Sequence, residues 1–231
     1  MTNEFTLLME RIAIFTGNFG SGKTEVSMQY AINSAAAGNA TQLVDLDIVN
    51  PYFTSGMQQQ RMQEYGIEVI APTYSGTGMD VPALNVGMQT VFYGDKWAVV
   101  DLGGDPTGAT VLGRYAHLLD KQPYQLLFVL NPMRPFTQDA QSAYEMMLEI
   151  QQHAKVEITG IVNNANLGQH TQAEHLLKGN EIAGQLARRT GLPVVYHCGE
   201  EQVIQQAAQQ TTLLGQPFVL HPINHPDWQA Y

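Results

Sequence analysis

The chain has 231 residues, of which 44% are hydrophobic and 14% are charged, so it can bury a substantial core and is not expected to be disordered. Its formal net charge is −10 with only 11 lysine and arginine residues, which disfavours DNA as a partner because non-specific DNA binding depends on these cations. Cys198 is the single cysteine, and this excludes an internal disulfide and a cysteine-based metal site within one chain.

The sequence shows no signal for export or membrane insertion. No apolar run approaches the roughly 20 residues of a membrane span. Residues 1–10 lack the basic flank and apolar core of a signal peptide. We therefore expect a cytoplasmic protein without a membrane span, in which residues 1–9 form an extension outside the core.

Segments typical of strands and helices alternate along the chain, beginning with an apolar, β-branched run at 11–16 that predicts a buried strand. A helix is predicted at 24–37, ended by Gly38. The other predicted strands are 41–45, 67–71, 97–101, 126–130, 157–162, 194–196 and 218–220. The other predicted helices are 81–92, 136–153, 200–209 and one between 162 and 194 that ends near Gly191. This alternation predicts an α/β fold of three layers, a mostly parallel sheet flanked by helices, in one domain over residues 1–231.

The segment between the first strand and its helix is Gly17-Asn18-Phe19-Gly20-Ser21-Gly22-Lys23-Thr24, hereafter the glycine loop. It fits G-x-x-x-x-G-K-[ST] in the strand–loop–helix context of a phosphate-binding loop. Glycine lets backbone N–H groups approach phosphate oxygens, and the helix start, where Glu25 also lies, adds partial positive charge. Lys23 can reach the outer phosphates, and the Thr24 hydroxyl can bind Mg²⁺. We expect this segment to bind a nucleoside triphosphate and predict the P-loop nucleoside triphosphate hydrolase fold.

A second metal anchor is expected at Asp101, which closes the apolar strand 97–101. Strands of a parallel sheet end at the ligand edge, so this carboxylate would face Mg²⁺. Asp101-Leu102-Gly103-Gly104 also has the form D-x-x-G, in which the Gly104 N–H can approach the γ-phosphate. An aspartate that merely caps the next helix is the alternative.

Asp45 and Asp47 stand at the end of the second strand, at the same edge. One of them can orient an attacking water or hold a metal-bound water, and Asp47, the later one, is preferred. Alternation along a strand places both on one face, so they are expected to interact. An aspartate at a loop entry is the alternative.

The strand that ends in Asn163 and Asn164 is a candidate for base recognition, since an amide offers a donor and an acceptor to a purine edge. No N-K-x-D arrangement follows, so the usual carboxylate for guanine is missing and adenine is favoured. Two ordinary loop asparagines are the alternative.

Two arginines and two polar segments are candidates for a second substrate or for switching. Arg134 lies between prolines after the fifth strand and can bind an anionic substrate or stabilise transferred charge. The same role is open to Arg114, with weaker support. The alternative is that these arginines are simply solvated. The segments 56–60 and 73–79 carry small, polar residues typical of loops that close over a γ-phosphate, or of ordinary surface crossovers.

With these motifs the chain resembles the MinD/ParA/CobQ-CobB group of P-loop nucleoside triphosphatases, in the SIMIBI class, from Arg11 to about Gly199. The motifs that carry the resemblance are the glycine loop, Asp45-Leu46-Asp47 and Asp101 to Gly104. It implies that Asp47 positions water, Asp101 serves the magnesium and Asn164 contacts the base. Those proteins usually have a lysine where this chain has Asn18, so neither hydrolysis activated across their dimer nor DNA segregation is implied. Within the group the chain resembles an uncharacterised bacterial nucleotide-binding branch.

The favoured function is therefore an ATP-binding, Mg²⁺-dependent protein, a slow ATPase that acts as a switch or accessory factor on an unidentified protein partner. Lys23, Asp47 and Asp101 are the predicted catalytic residues, and Thr24, Asp47 and Asp101 the predicted metal ligands. The alternative is an ATP-dependent kinase or amide ligase of the dethiobiotin synthetase/CobQ type that acts on a small anionic substrate. The sequence is also compatible with a homodimer.

Overall fold

The computed structural model describes residues 10–47, 56–71, 88–104 and 106–221. Its strands are β1 (Ile12–Thr16), β2 (Thr41–Leu46), β3 (Glu68–Ile70), β4 (Trp97–Leu102), β5 (Tyr124–Leu130), β6 (Gly160–Asn163), β7 (Val194–Gly199) and β8 (Gln216–Val219). In this part of the chain they form one sheet in the order β3-β2-β4-β1-β5-β6-β7-β8, and all neighbours run parallel. The predicted parallel sheet is confirmed.

The helices are α1 (Lys23–Ala36), α2 (Gly56–Glu64), α3 (Pro106–Gly113), α4 (Ala116–Leu119), α5 (Ala140–Ala154), α6 (Ala173–Thr190) and α7 (Glu201–Ala208), and residues 88–93 are also helical. Successive side chains of β1 point to opposite sides of the sheet. Ala13 and Phe15 pack in one buried cluster with α1 and α2. Ile12 and Ile14 pack in another with residues 88–93 and with α3, α5 and α6. The three predicted layers are therefore present.

The position of β1 decides where the site can lie. β1 is an internal strand whose Ile14 is in register with Val100 of β4 and Leu126 of β5. All five residues of β1 are buried, as the apolar run predicted. Since every strand runs in the same direction, the loop after β1 meets the carboxyl ends of β4 and β5 at one edge of the sheet.

The predicted helix at 136–153 begins four residues too early. The structure starts it at Ala140, because Phe136 has a left-handed φ of 66° and cannot continue a helix. Asp139 then caps it, accepting a hydrogen bond from the Ser142 N–H at 2.8 Å.

Other predicted boundaries differ more. The run 56–60, expected to be a flexible loop, belongs to helix α2. The strand predicted at 157–162 begins only at Gly160 and ends one residue later than predicted, at Asn163. Helices α3 and α4 were not predicted at all. The extension 1–9, the loop 73–79 and the first part of the helix at 81–92 lie outside the described residues.

Candidate functional site

The glycine loop has a backbone that requires glycine at three positions. Gly17, Gly20 and Gly22 have φ values of 145°, 73° and 87°. A Cβ on Gly17 would overlap the carbonyl oxygen of Val129 in β5. Gly22 caps α1 without any side-chain hydrogen bond to the first turn. No capping side chain therefore occupies the first N–H groups of α1, as an anion site at a helix start requires.

Lys23 lies across the loop rather than in solvent. Its side chain is only 6% exposed, and its Nζ donates to the Asn18 carbonyl oxygen at 3.3 Å. The opposite wall is Gly104, where a Cβ would lie 3.1 Å from the Lys23 Nζ. The ammonium is thus fixed between the glycine loop and the end of β4.

The end of β4 packs against the loop without room for a side chain. A Cβ on Gly104 would overlap the Gly17 carbonyl oxygen, and one on Gly103 would lie 3.2 Å from the Gly108 Cα of α3. The segment Asp101 to Gly104 therefore abuts the glycine loop directly, as its predicted role needs.

Asp101 is buried beside the first turn of α1. The Thr24 hydroxyl donates to its Oδ2 at 2.6 Å, and the residue is 0% exposed. Burial raises the pKa of Asp101 to about 7; the nearby charge of Asp45 adds to this, and Lys23 and Thr24 oppose it. A hydroxyl and a carboxylate held together are suitable ligands for Mg²⁺.

Asp45 and Asp47 lie next to this pair. Asp45 is in register with Asp101 across β2 and β4, and its Oδ1 accepts the Asp47 N–H at 2.9 Å. Asp47 is half-buried, and a Cβ on Gly103 would lie 3.4 Å from its Oδ1. The structure thus brings both aspartates to the same edge as Asp101; the preference for Asp47 stays a prediction.

Four buried polar atoms around the glycine loop lack a hydrogen-bond partner in the described part of the chain. They are Thr16 Oγ1, Ser21 Oγ, Asp101 Oδ1 and Asn164 Oδ1. Buried polar groups are normally paired, so their concentration here fits a site completed by water, a cation or a ligand. No group of three histidine, cysteine or carboxylate side chains in the described ranges could hold a metal unaided. Mg²⁺ would therefore need phosphate or water oxygens as well.

The two asparagines predicted to read the base have contacts within the protein. Asn163 donates to the Leu176 carbonyl oxygen at 3.2 Å and accepts from the Ala165 N–H at 3.3 Å. Asn164, which is 1% exposed, donates to the Ser21 carbonyl oxygen at 2.7 Å. Asn164 therefore supports the glycine loop from β6, and base recognition stays a prediction for both.

Sequence reasoning missed one organising residue and undervalued another. Asn131, buried at the end of β5, accepts the N–H groups of Met133 and Asn166 at 3.1 and 3.2 Å. Its position at the end of an apolar strand was the available signal. Arg134, considered only as a candidate, donates from Nε to the Gly20 carbonyl oxygen at 3.0 Å. Arg114, by contrast, is exposed after the far end of α3.

Three solved structures from different organisms share this architecture. A nucleotide-binding protein from Archaeoglobus fulgidus, solved in complex with ADP, is similar with a TM-score of 0.53 and 18% identity over 86% of each chain. The signal recognition particle receptor FtsY from Elizabethkingia anophelis is similar with a TM-score of 0.52 and 17% identity, over 89% of this chain and 63% of that one. FtsY from Thermotoga maritima is similar with a TM-score of 0.50 and 16% identity, over 83% of this chain and 63% of that one.

This chain thus covers less than two thirds of the FtsY chains. No family model and no curated protein matches the sequence. No helix among the described residues is long and apolar enough to cross a membrane. At these identities the similarity concerns the fold, and an eight-stranded parallel sheet between two layers of helices gives this chain the fold of the P-loop nucleoside triphosphatases.

Proposed function

We propose that this protein binds ATP with Mg²⁺ at the glycine loop and hydrolyses it slowly, as a switch or accessory factor acting on a protein partner. The observation that carries the proposal is that buried Lys23 and Asp101 and the half-buried Thr24 come together at a loop with three glycines of positive φ. The ADP complex of the similar A. fulgidus protein supports nucleotide as the ligand.

Each residue has a role that follows from its position. Lys23 would bind the outer phosphates, and Thr24 and Asp101 would hold the magnesium through their hydroxyl and carboxylate oxygens. When bound, Mg²⁺ neutralises phosphate charge. Asp47 would orient the attacking water, and the Gly104 N–H would detect the γ-phosphate. Asn164, with one amide oxygen unpaired among the described residues, is the better candidate for contact with adenine.

The first test is Lys23→Ala, with Lys96→Ala as the matched control. Lys23 supplies the buried cation of the loop, whereas Lys96 is exposed before β4 and pairs with Glu68 at 2.6 Å. We expect Lys23→Ala to abolish ATP binding in titration calorimetry and Lys96→Ala to leave it unchanged. Equal ATP affinity in the wild type and Lys23→Ala would contradict the proposal.

The second candidate function is a kinase or amide ligase that phosphorylates a small acid. Arg134 on the rim of the glycine loop is the observation in its favour, because a guanidinium there suits a carboxylate acceptor. We expect ATP turnover in the presence of Mg²⁺ to stay slow across a panel of small carboxylic acids. A large rise in turnover with one acid would replace the switch by this metabolic function and would identify the acceptor.

A further inference from the structure

The segment after β5 forms one wall of the glycine loop. This segment, residues 131–137 and hereafter the β5 arm, contacts the loop at two points. Arg134 Nε donates to the Gly20 carbonyl oxygen at 3.0 Å, and the Asn18 side-chain amide donates to the Pro135 carbonyl oxygen. Both contacts lie on residues 18–20, the same stretch that receives the Lys23 ammonium. Arg134 follows β5 and Gly104 follows β4, so the two residues come from the strands on either side of β1.

The β5 arm holds Arg134 in place without any ligand. The Thr137 hydroxyl donates to the Asn131 carbonyl oxygen at 2.8 Å, and the Arg134 N–H donates to the same oxygen at 3.1 Å. Asn131 and Thr137 are both fully buried, and prolines on the arm restrict its backbone. The guanidinium is thus preorganised, so little conformational entropy is lost when it binds an anion.

Most of the guanidinium is not used by the fold. Only Nε has a hydrogen bond to a described residue; both terminal nitrogens are without a carboxylate or carbonyl partner in the described ranges. Arg134 is half-exposed, so these nitrogens can be reached from the loop mouth. A planar guanidinium with free terminal N–H groups matches phosphate oxygens in two-point contact.

The loop itself lacks a second cation that could do this. Asn18 is neutral, and its amide is engaged by the Pro135 carbonyl oxygen. Three aspartates, Asp45, Asp47 and Asp101, lie at the same edge and make it more negative. A second protein cation beside Lys23 would therefore favour a triphosphate with its Mg²⁺.

We propose that Arg134 contacts the terminal phosphate of the bound nucleoside triphosphate from within the same chain. The protein then distinguishes triphosphate from diphosphate through Arg134. This inference rests on nucleotide binding at the glycine loop. The contact to Gly20 also ties the β5 arm to the loop.

The test is Arg134→Gln, measured as affinity for ADP and for a non-hydrolysable ATP analogue, both with Mg²⁺. Loss of a charge-assisted contact is expected to lower the affinity for the ATP analogue about 10- to 100-fold. The affinity for ADP should stay within about twofold of the wild-type value. Arg134→Lys keeps the charge without the planar fork and is expected to weaken the analogue less. Arg188→Gln, exposed in the last turn of α6, is the control and should match the wild type.

The outcomes separate the two claims. Wild-type protein that binds neither nucleotide would end the proposed function itself. Wild-type binding together with an unchanged preference for the analogue in both Arg134 variants would overturn this inference alone. An equal loss of affinity for both nucleotides, with a lower melting temperature of the nucleotide-free variant, would make Arg134 a structural support and would also overturn it.

Discussion

The electrostatics of the site depend strongly on Asp101. It is fully buried, its Oδ2 accepts the Thr24 hydroxyl, and its Oδ1 has no partner in the part of the chain described. Its neighbours oppose each other: Asp45 disfavours ionisation, whereas Lys23 favours it. A carboxylate in this position is costly to ionise in the free protein and becomes favourable once a cation is bound.

This gives a pH-dependent prediction. The pKa of Asp101 is about 7 in the folded protein and about 3.9 in an unfolded chain. The folded state therefore holds the proton more tightly, and this stabilising contribution is complete below about pH 4 and is lost as pH rises through about 7. We expect Asp101→Asn, which cannot ionise, to gain stability relative to the wild type as pH rises, by about 1.4 kcal/mol per unit of pKa shift.

Urea unfolding without nucleotide or Mg²⁺, at about pH 5 and about pH 8, measures this difference. The unfolding free energy of Asp101→Asn, relative to that of the wild type, should be greater at the higher pH. The advantage should disappear when Mg²⁺ and nucleotide are added, because only the wild type has the carboxylate to bind the cation. A difference in unfolding free energy that does not change with pH would show that Asp101 has an ordinary pKa.

The site residues that could be predicted from the sequence are those that belong to a short local motif. Lys23, Thr24 and Asp101 could be placed from the sequence, because each belongs to a motif within one strand and its following loop. The contacts of Arg134 and Asn164 with the glycine loop could not, because they depend on β5 and β6 lying beside β1. Spacing along the chain gives no information on which strands become neighbours in a parallel sheet.

At the scale of elements, buried strands were predicted more reliably than loops and helix ends. Apolar runs such as β1 and β4 are buried almost throughout, so their composition alone identifies them. Helix α3 is short and contains Gly108 and Gly113, which weakened its helical signal. The start of α5 depends on the capping interaction of Asp139, which follows an exposed phenylalanine. Composition over a window does not reveal such a local contact.

The packing of β4 against the glycine loop predicts the effect of one methyl group. Gly104→Ala places a Cβ onto the Gly17 carbonyl oxygen, so the end of β4 must move away from the loop. We expect a loss of about 1–3 kcal/mol in unfolding free energy and weaker ATP binding. Gly199→Ala at the end of β7 is the control, since its nearest neighbour, an Ile204 side-chain carbon, is 3.5 Å away. Thermal unfolding and calorimetry should separate the two variants; equal behaviour would contradict the close packing.

At the scale of the molecule, an acidic chain has both cations and aspartates at the edge of the sheet where the glycine loop lies. The net charge is −10, and the cations at the loop are Lys23 and Arg134 among the residues described. Three aspartates share the same edge, so a triphosphate without a metal would be repelled by them. This arrangement favours a bound cation such as the Mg²⁺ of the proposed function. The parallel order of the strands supplies the geometry, since it collects loops from distant parts of the sequence at one edge.

The central position of β1 also has a consequence for folding during synthesis on the ribosome. β1 is synthesised first among the strands described, yet its two neighbours are β4 and β5, the second of which ends at Leu130. More than half of the chain must therefore leave the ribosome before β1 has both partners. Contacts so distant in sequence form slowly. The glycine loop packs against Val129 and Gly104, so its shape forms late in a nascent chain. Until then the apolar residues of β1 are exposed and prone to aggregation.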